Sequence, residues 1–264
     1  MNTEGAQAVR LDFGNLPLVE TAVRVSLERP VKLTYVIINR VADQLRDRFP
    51  DLQEPGALER PPGIEQPSLP LAPGQLLGAV YTGNKDGIVL TLQGQVIVAR
   101  WLKQIREDAA EYPRFAVLRD AVWQAVDAFR DACGGQLSGI VVVNMSYVNF
   151  LGVGHSEPVL ARYFSDLAQI KAAKDARQIH KVEVSWRESE SVDLRYNLEQ
   201  VTAQVGDETV EGYRITTAAG SRLAEGTEPK QALVQVHQRL QVFFRSLISD
   251  YAKEEWQLKE VTLG

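Results

Sequence analysis

The sequence has one cysteine, two methionines and three histidines in 264 residues. Its single cysteine, Cys133, cannot form an intramolecular disulfide, which is typical of proteins of a reducing compartment. No apolar run approaches the roughly 18 residues that a membrane-spanning helix needs, and the polar first ten residues lack the apolar core of a secretion signal. We therefore expect a cytoplasmic protein that does not associate with a membrane.

The common catalytic and metal-binding motifs are also missing. The histidines, His155, His180 and His237, have no second ligand at metal-site spacing, and the sequence has no paired-cysteine motif and no Gly-x-Ser-x-Gly elbow. A glycine-containing loop at 152–157 lacks the third glycine and the lysine of phosphate-binding loops. Cys133 ends a predicted helix, where the helix dipole disfavours a thiolate. The sequence thus predicts no catalytic, cofactor or metal site and favours a protein that is not an enzyme.

The charge balance limits the possible partners. The chain carries 29 basic and 34 acidic side chains, so its formal net charge is −5, and its pI is near 5.4. This composition argues against a surface that grips nucleic acid throughout, although it permits a local basic groove. The hydrophobic fraction of 45% is ordinary for a globular protein, and a chain of this length can bury a core without disulfides.

Apolar periodicity in the first half predicts a strand, a helix, three strands and a second helix. The first strand covers residues 16–27, and the helix after it begins at Pro30 and ends at Pro50. A proline-rich insertion at 50–77 follows. The three strands are predicted at residues 78–82, 88–93 and 95–102. The second helix has Pro113 in its first turn and ends at Gly134-Gly135.

The second half repeats this order of elements. A nearly continuous apolar strand at 139–151 precedes a helix that starts at Ser156 and Pro158. Three strands are predicted next, at residues 181–188, 193–205 and 211–218. The last helix begins at Thr227 and Pro229, and its apolar stripe continues to Tyr251.

The repeated order predicts an α+β fold of two tandem strand-helix-three-strand-helix units. We expect the units to join edge to edge into one curved, mainly antiparallel sheet covered by helices, because this arrangement removes two open sheet edges. The predicted division is an N-terminal tail at 1–15, a first half at 16–135 and a second half at 136–264. The two halves together are expected to form one continuous two-repeat domain.

Three segments carry a family resemblance. They are Pro17-Leu18-Val19-Glu20 in the first strand, Ser146-Tyr147-Val148-Asn149 in the strand that opens the second half, and Phe244 through Ile248-Ser249 to Trp256 at the end. By these segments the chain resembles an uncharacterised, sporadically distributed bacterial and archaeal family. Its hallmarks are an N-terminal Pro-x-Val-Glu strand, a central Tyr-(Ile/Val)-Asn strand and a C-terminal Phe…Ile-(Thr/Ser)…Trp helix.

The resemblance covers nearly the whole chain and brings no activity with it. Here Ser146 stands where the family usually has arginine, and Ser249 stands where it usually has threonine. Any family function of that arginine is therefore lost or moved in this chain. The sporadic distribution implies a role in an accessory or defence-related assembly.

Polar and aromatic side chains on strands supply the candidate interaction residues. Asn144, Tyr147 and Asn149 bring polar groups into an apolar strand, and alternation places Asn144 on the face opposite to the other two. A second set contains Trp186, Arg187, Arg195 and Tyr196, whose mixture of rings and cations could stack nucleic-acid bases. The complete set of candidates is Glu20, Asn144, Tyr147, Asn149, Trp186, Arg195 and Trp256.

These observations favour a non-enzymatic interaction or scaffold protein that binds a protein partner or a second copy of itself. A homodimer formed through a sheet edge or the last helix fits this reading. One alternative is a nucleic-acid-binding module that uses the sheet face, which the acidic pI disfavours. Another is a small-ligand receptor or an enzyme whose site has no recognisable motif.

Overall fold

A computed structural model of the chain describes residues 9–13, 17–53, 76–83, 87–103, 112–152, 162–164, 181–189, 191–205 and 208–262. Most of the predicted proline-rich insertion, most of the predicted helix after Ser156 and all of the glycine-containing loop except Gly152 lie outside the described residues. His155 and His180 also lie outside them.

The described elements are helices and strands of an α+β fold. The strands are β1 (Val9–Phe13), β2 (Leu18–Leu27), β3 (Asp51–Gln53), β4 (Gly78–Thr82), β5 (Ile88–Gln93), β6 (Val96–Leu102), β7 (Ile140–Gly152), β8 (Lys181–Arg187), β9 (Val192–Val205), β10 (Glu208–Arg222) and β11 (Leu258–Thr262). The helices are α1 (Tyr35–Leu45), α2 (Arg114–Ala132), α3 (Pro229–Leu247) and α4 (Asp250–Glu255).

Nine of these strands form one sheet in the order β3-β4-β5-β6-β2-β7-β10-β9-β8, and β1 pairs separately with β11. Neighbouring strands run mostly antiparallel, as in the pairs β2–β6, β4–β5 and β8–β9. The predicted fold class, α+β with a mainly antiparallel sheet, is thereby confirmed.

The chain divides into two compact units, which we call the first and the second unit. The first unit contains residues 20–145 and 221–229, and the second contains residues 1–19, 146–220 and 230–264. Strand β7 crosses from one to the other, since its residues 140–145 belong to the first unit and its residues 146–152 to the second.

In the first unit, buried residues of neighbouring strands meet helix α1. Tyr81 of β4, Leu90 of β5 and Ala99 of β6 lie opposite one another in register, and all three are buried. The Tyr81 hydroxyl donates a hydrogen bond of 3.2 Å to the carbonyl oxygen of Ile38 in α1. Helix α2 contacts both α1 and β6. The two helices thus supply the apolar cover that a half-buried sheet requires.

Helix α1 begins later than the sequence predicted. Its first residue is Tyr35 rather than Pro30, because the hydroxyl of Thr34 caps the helix by accepting a hydrogen bond from the Ile37 amide at 3.4 Å. Helix α2 ends at Ala132, and the predicted stop signal follows directly at Gly134 and Gly135, whose φ angles of 66° and 79° suit glycine.

In the second unit, the predicted last helix is two helices. Helix α3 ends at Leu247, and the hydroxyl of Ser249 accepts a hydrogen bond of 3.1 Å from the Ala252 amide to start α4. Serine and threonine both cap helices well, so the Ser249 position tolerates either residue for this role. The aromatic ring of Tyr251, expected on the α3 stripe, belongs to α4 and is partly exposed.

Three short strands, β1, β3 and β11, were not predicted. Strand β1 lies inside the predicted tail 1–15 and pairs with β11, so that Val9 is opposite Thr262 and Phe13 is opposite Leu258. Strand β3 lies at the start of the predicted proline-rich insertion and pairs with β4. Each of these pairings joins segments that are far apart in the sequence, which local patterns do not report.

Candidate interaction site at strand β8

Strand β8 stands at the end of the sheet order, and among the described residues no strand pairs with its outer side. Its inner side pairs with β9, with Lys181 opposite Glu199 and Arg187 opposite Asp193. Five of its seven residues are exposed, and Val182 and Val184 are half-buried. An edge strand of this length presents a row of backbone groups to which another strand can pair.

The hydrogen-bond pattern shows which backbone groups of β8 point outward. Just beyond β8, the Glu188 amide donates a hydrogen bond of 2.9 Å to the Val192 carbonyl oxygen. Because hydrogen-bonded pairs alternate along an antiparallel ladder, the amides of Val184 and Trp186 point to β9. The amides of Glu183, Ser185 and Arg187 therefore point away from β9, to the outer side of the strand.

One face of β8 is apolar and meets helix α3. Trp186 packs edge-to-face on Phe243 of α3, with ring centroids 5.2 Å apart, yet 40% of the Trp186 surface is exposed. Alternation places Val182 and Val184 on the face of Trp186. At the end of the strand, Glu188 forms an ion pair with Arg239 of α3 at 3.5 Å. This face combines a large exposed ring with the branched side chains that sheets prefer.

The other face of β8 and β9 is charged. Lys181 and Glu183 are 3.2 Å apart, and Arg187 lies 3.3 Å from Asp193. The Arg187 and Asp193 side chains are 75% and 69% exposed, so water screens their attraction and the pair adds little to stability. These charges are therefore free to rearrange toward a binding partner.

The structure separates the residues of the predicted basic-aromatic surface. Trp186 lies opposite Leu194 in the β8–β9 register, and Ser185 lies opposite Arg195. The rings of Trp186 and Tyr196 consequently share the apolar face, whereas Arg187 and Arg195 lie on the charged face. These four residues do not form one surface on which bases could stack.

Trp256 and Tyr147 belong to the core of the second unit. The Trp256 ring is stacked between Phe244, at 6.2 Å, and Tyr163, at 5.3 Å, and it is only 3% exposed. Tyr147 contacts the edge of the same Phe244 ring at 6.5 Å. The structure thus brings Trp256 and Tyr147 together as packing residues, which cannot touch a partner directly.

Asn149 is buried and lacks a partner. Its side chain is 0% exposed, and neither its amide nitrogen nor its amide oxygen has a hydrogen-bond partner among the described residues. The burial pattern of β7 alternates, so Asn149 shares the buried face with Tyr147 while Asn144 is half-buried on the opposite face. An unpaired buried amide is costly, which distinguishes Asn149 from the other candidate residues.

Glu20 pairs with an arginine of a neighbouring strand in the first unit. Its carboxylate lies 2.9 Å from the guanidinium of Arg100 on β6, and both side chains are between a quarter and a third exposed, at 28% and 27%. This ion pair joins neighbouring strands, and the sequence did not single out Arg100 as a partner of Glu20.

Burial shifts the pKa values of two described side chains that the sequence singled out, His237 and Cys133. Burial lowers the pKa of His237 to about 4, so this ring is neutral at physiological pH. Burial raises the pKa of the Cys133 thiol, which disfavours the reactive thiolate. Within the described ranges, no group of three His, Cys, Asp or Glu side chains is placed to hold a metal ion.

None of the helices in the described part of the chain is long and apolar enough to cross a membrane. No family model matches the chain, and no curated protein matches it either.

Proposed function

We propose that this protein is a non-enzymatic interaction protein in which β8 accepts a strand from a protein partner. The observation that carries the proposal is the outer edge of β8, where the amides of Glu183, Ser185 and Arg187 face away from β9 beside the exposed Trp186. In strand addition, main-chain hydrogen bonds supply affinity and alternate side chains supply specificity. Strand β8 offers both.

We further propose that the chain consists of two tandem units and acts as a scaffold subunit of an accessory or defence-related assembly. The strand order supports the repeat, because it reads alike from its two ends. From the centre outward, β2, β6, β5 and β4 match β7, β10, β9 and β8. In the first series β3 pairs with the outer side of β4, whereas in the second series β8, the counterpart of β4, ends the order of the described strands. Strand β8 is therefore the strand of the repeat that is available to a partner.

A substitution at Ser185 tests the proposal. Proline is tolerated in an edge strand where the missing amide faces outward, so Ser185→Pro removes one outward donor and leaves the bonds to β9. We expect Ser185→Pro to lose a stoichiometric partner that the unchanged protein and Ser185→Ala both retain. The partner is identified by mass spectrometry after affinity purification at moderate salt, and circular dichroism checks that both variants are folded.

Equal recovery of that partner by Ser185→Pro and Ser185→Ala would contradict a role for the β8 edge. The same purification carried out at higher salt separates main-chain pairing from charge attraction, because salt screens the charge attraction and leaves the main-chain hydrogen bonds unchanged.

A second candidate is a receptor for a small polar ligand, which the buried amide of Asn149 favours, because it has no hydrogen-bond partner in the part of the chain that the structure describes. A ligand with a donor and an acceptor could satisfy both amide atoms. Binding of such a ligand raises the melting temperature of the folded protein. A metabolite panel that stabilises the unchanged protein and not Asn149→Leu would support this candidate, whereas a panel without effect would remove its support.

A further inference from the structure

We propose that the strand that pairs with β8 is β8 of a second copy of this chain, in antiparallel orientation and centred on Ser185. This inference rests on the proposed function, because it names the partner of the same edge. Two features of the described residues carry it, namely the direction of the backbone groups and the order of the charges along β8.

The backbone groups permit a symmetric pair centred on Ser185. A symmetric antiparallel pair centred on one residue makes that residue face its own copy. The hydrogen-bonded pairs of the new ladder must use residues whose amides point outward, and in β8 these include Glu183, Ser185 and Arg187. With Ser185 at the centre, all three residues form such pairs: Ser185 lies opposite Ser185 of the second copy, and Glu183 lies opposite Arg187 of the second copy.

The charges distinguish this register from the neighbouring ones. With Ser185 at the centre, each Glu183 lies opposite Arg187 of the second copy, so two opposite-charge pairs form. A pair centred on Glu183 would set Glu183 against Glu183, and one centred on Arg187 would set Arg187 against Arg187. Like charges directly opposite each other destabilise a sheet, and opposite charges stabilise it. Of these three registers, only the one centred on Ser185 forms opposite-charge pairs.

The apolar face agrees with the same register. Val184 would lie opposite Trp186 of the second copy, which forms two pairs of an aromatic and a branched side chain. Each pair covers part of the Trp186 ring, of which 40% is exposed in the single chain. The contact of Trp186 with Phe243 of α3 holds the ring on this face. Burial of both rings adds an apolar contribution to the main-chain hydrogen bonds.

Charge exchange tests the inference in the full-length chain. Glu183→Arg sets arginine against arginine, and Arg187→Glu sets glutamate against glutamate, so each single variant is expected to weaken the dimer by more than about tenfold. The double variant Glu183→Arg/Arg187→Glu restores opposite charges and is expected to dimerise like the unchanged protein. An equimolar mixture of the two single variants is expected to form a heterodimer. Sedimentation velocity over a range of concentrations measures all four.

The controls separate folding from association. Arg187→Glu also removes the exposed ion pair with Asp193, so circular dichroism must show the same secondary structure in every variant. Lys181→Gln is the control, because Lys181 faces no charged residue in the proposed register and glutamine sets no like charge beside Glu183 or Glu199, so its dimer should persist. A dimer that both single variants retain, or a double variant that stays monomeric, would overturn the inference.

A photo-crosslinking amino acid at position 185 distinguishes failure of this inference from failure of the proposed function. A product with the mass of two chains is the expected result. A product in which position 185 is joined to a different protein would overturn pairing with a second copy and leave the interaction role intact. No product, in the purified protein or in extract of the native host, would count against both.

Discussion

The two ends of the strand order are finished in different ways. Strand β3 has three residues, and β8 has seven. Short edge strands are one of the means by which proteins prevent unwanted pairing, since they offer few backbone groups. Strand β8 carries alternating charges of both signs, which oppose pairing with most strands but favour a complementary one. In the proposed function, β3 closes one end of the described strand order, and the charges of β8 make the other end selective for a partner.

The two units also differ in their polar and titratable groups. His237, the histidine among the described residues, lies in the second unit. The second unit also contains the buried Asn149, which has no hydrogen-bond partner among the described residues, whereas in the first unit the carboxylate of Glu20 is paired with Arg100. We therefore expect substitutions in the second unit to change the free energy of unfolding by larger amounts than a substitution of Glu20 in the first unit, with some raising it and others lowering it.

The largest expected effect is that of Trp256→Ala in the second unit. The substitution removes a buried ring stacked between Phe244 and Tyr163, so the free energy of unfolding should fall by about 3–5 kcal/mol. Urea denaturation measures this loss. Trp186→Ala is the matched control, because its partly exposed ring should cost only about 1 kcal/mol. Equal losses in the two variants would mean that the Trp256 stack is not part of a tight core.

Acid should destabilise the second unit through His237. In the unfolded chain the pKa of a histidine is near 6.5, whereas in the folded chain burial lowers the pKa of His237 to about 4. Stability contributed by the neutral ring is therefore complete above pH 6.5 and is lost as the pH falls toward 4. The side chain keeps part of its surface exposed, so we expect a loss of about 2 kcal/mol, below the roughly 3 kcal/mol of the full shift.

Thermal melts of the unchanged protein and His237→Gln at pH 7 and pH 5 measure this contribution. The variant should show a smaller loss of stability between the two pH values. Asp250, whose pKa is held below its usual range by Lys253, titrates below this window and does not disturb the comparison. Identical pH dependence of the two proteins would show that His237 is not desolvated.

Replacing Asn149 should stabilise the second unit. Asn149→Leu removes a buried amide that has no hydrogen-bond partner among the described residues and substitutes an apolar side chain of similar shape, so the free energy of unfolding should rise by about 1 kcal/mol. Chemical denaturation at pH 7 measures the change. A lower stability of Asn149→Leu would indicate that the amide is paired in solution and would weaken the contrast with the first unit.

The smallest expected effect is that of Glu20→Gln in the first unit. The Glu20–Arg100 pair is partly exposed, so its loss should lower the free energy of unfolding by about 0.5–1 kcal/mol at low salt, and by less at high salt. A double-mutant cycle with Arg100→Met isolates the pair. A coupling energy near zero would count against the pairing hypothesis for Glu20.

Local patterns predicted the elements well where tight turns separate them. The bounds predicted for β4 and β5 match the structure, because alternating residues end at clear turn signals on both sides. The break between α3 and α4 was missed, since the apolar stripe continues through Tyr251. A capping signal, Ser249 followed by Asp250, was present in the sequence and could have placed the break.

The candidate site was harder to predict than the fold. Whether Trp186 and Arg195 share a face depends on the register between β8 and β9, which the composition of the four residues between these strands does not specify. The position of β8 at the end of the sheet depends on the whole strand order. Burial of Trp256 likewise depends on Tyr163, which lies far from it in the sequence. Nonlocal pairing decides each of these features.

Residue-resolved amide hydrogen exchange along β8 tests most directly whether this edge pairs with a second strand. In concentrated protein, we expect slow exchange for the outward amides of Glu183, Ser185 and Arg187, which becomes fast on dilution. The inward amides of Val184 and Trp186 should exchange slowly at both concentrations, because they bond to β9. Outward amides that exchange as fast in concentrated as in dilute protein would contradict the account.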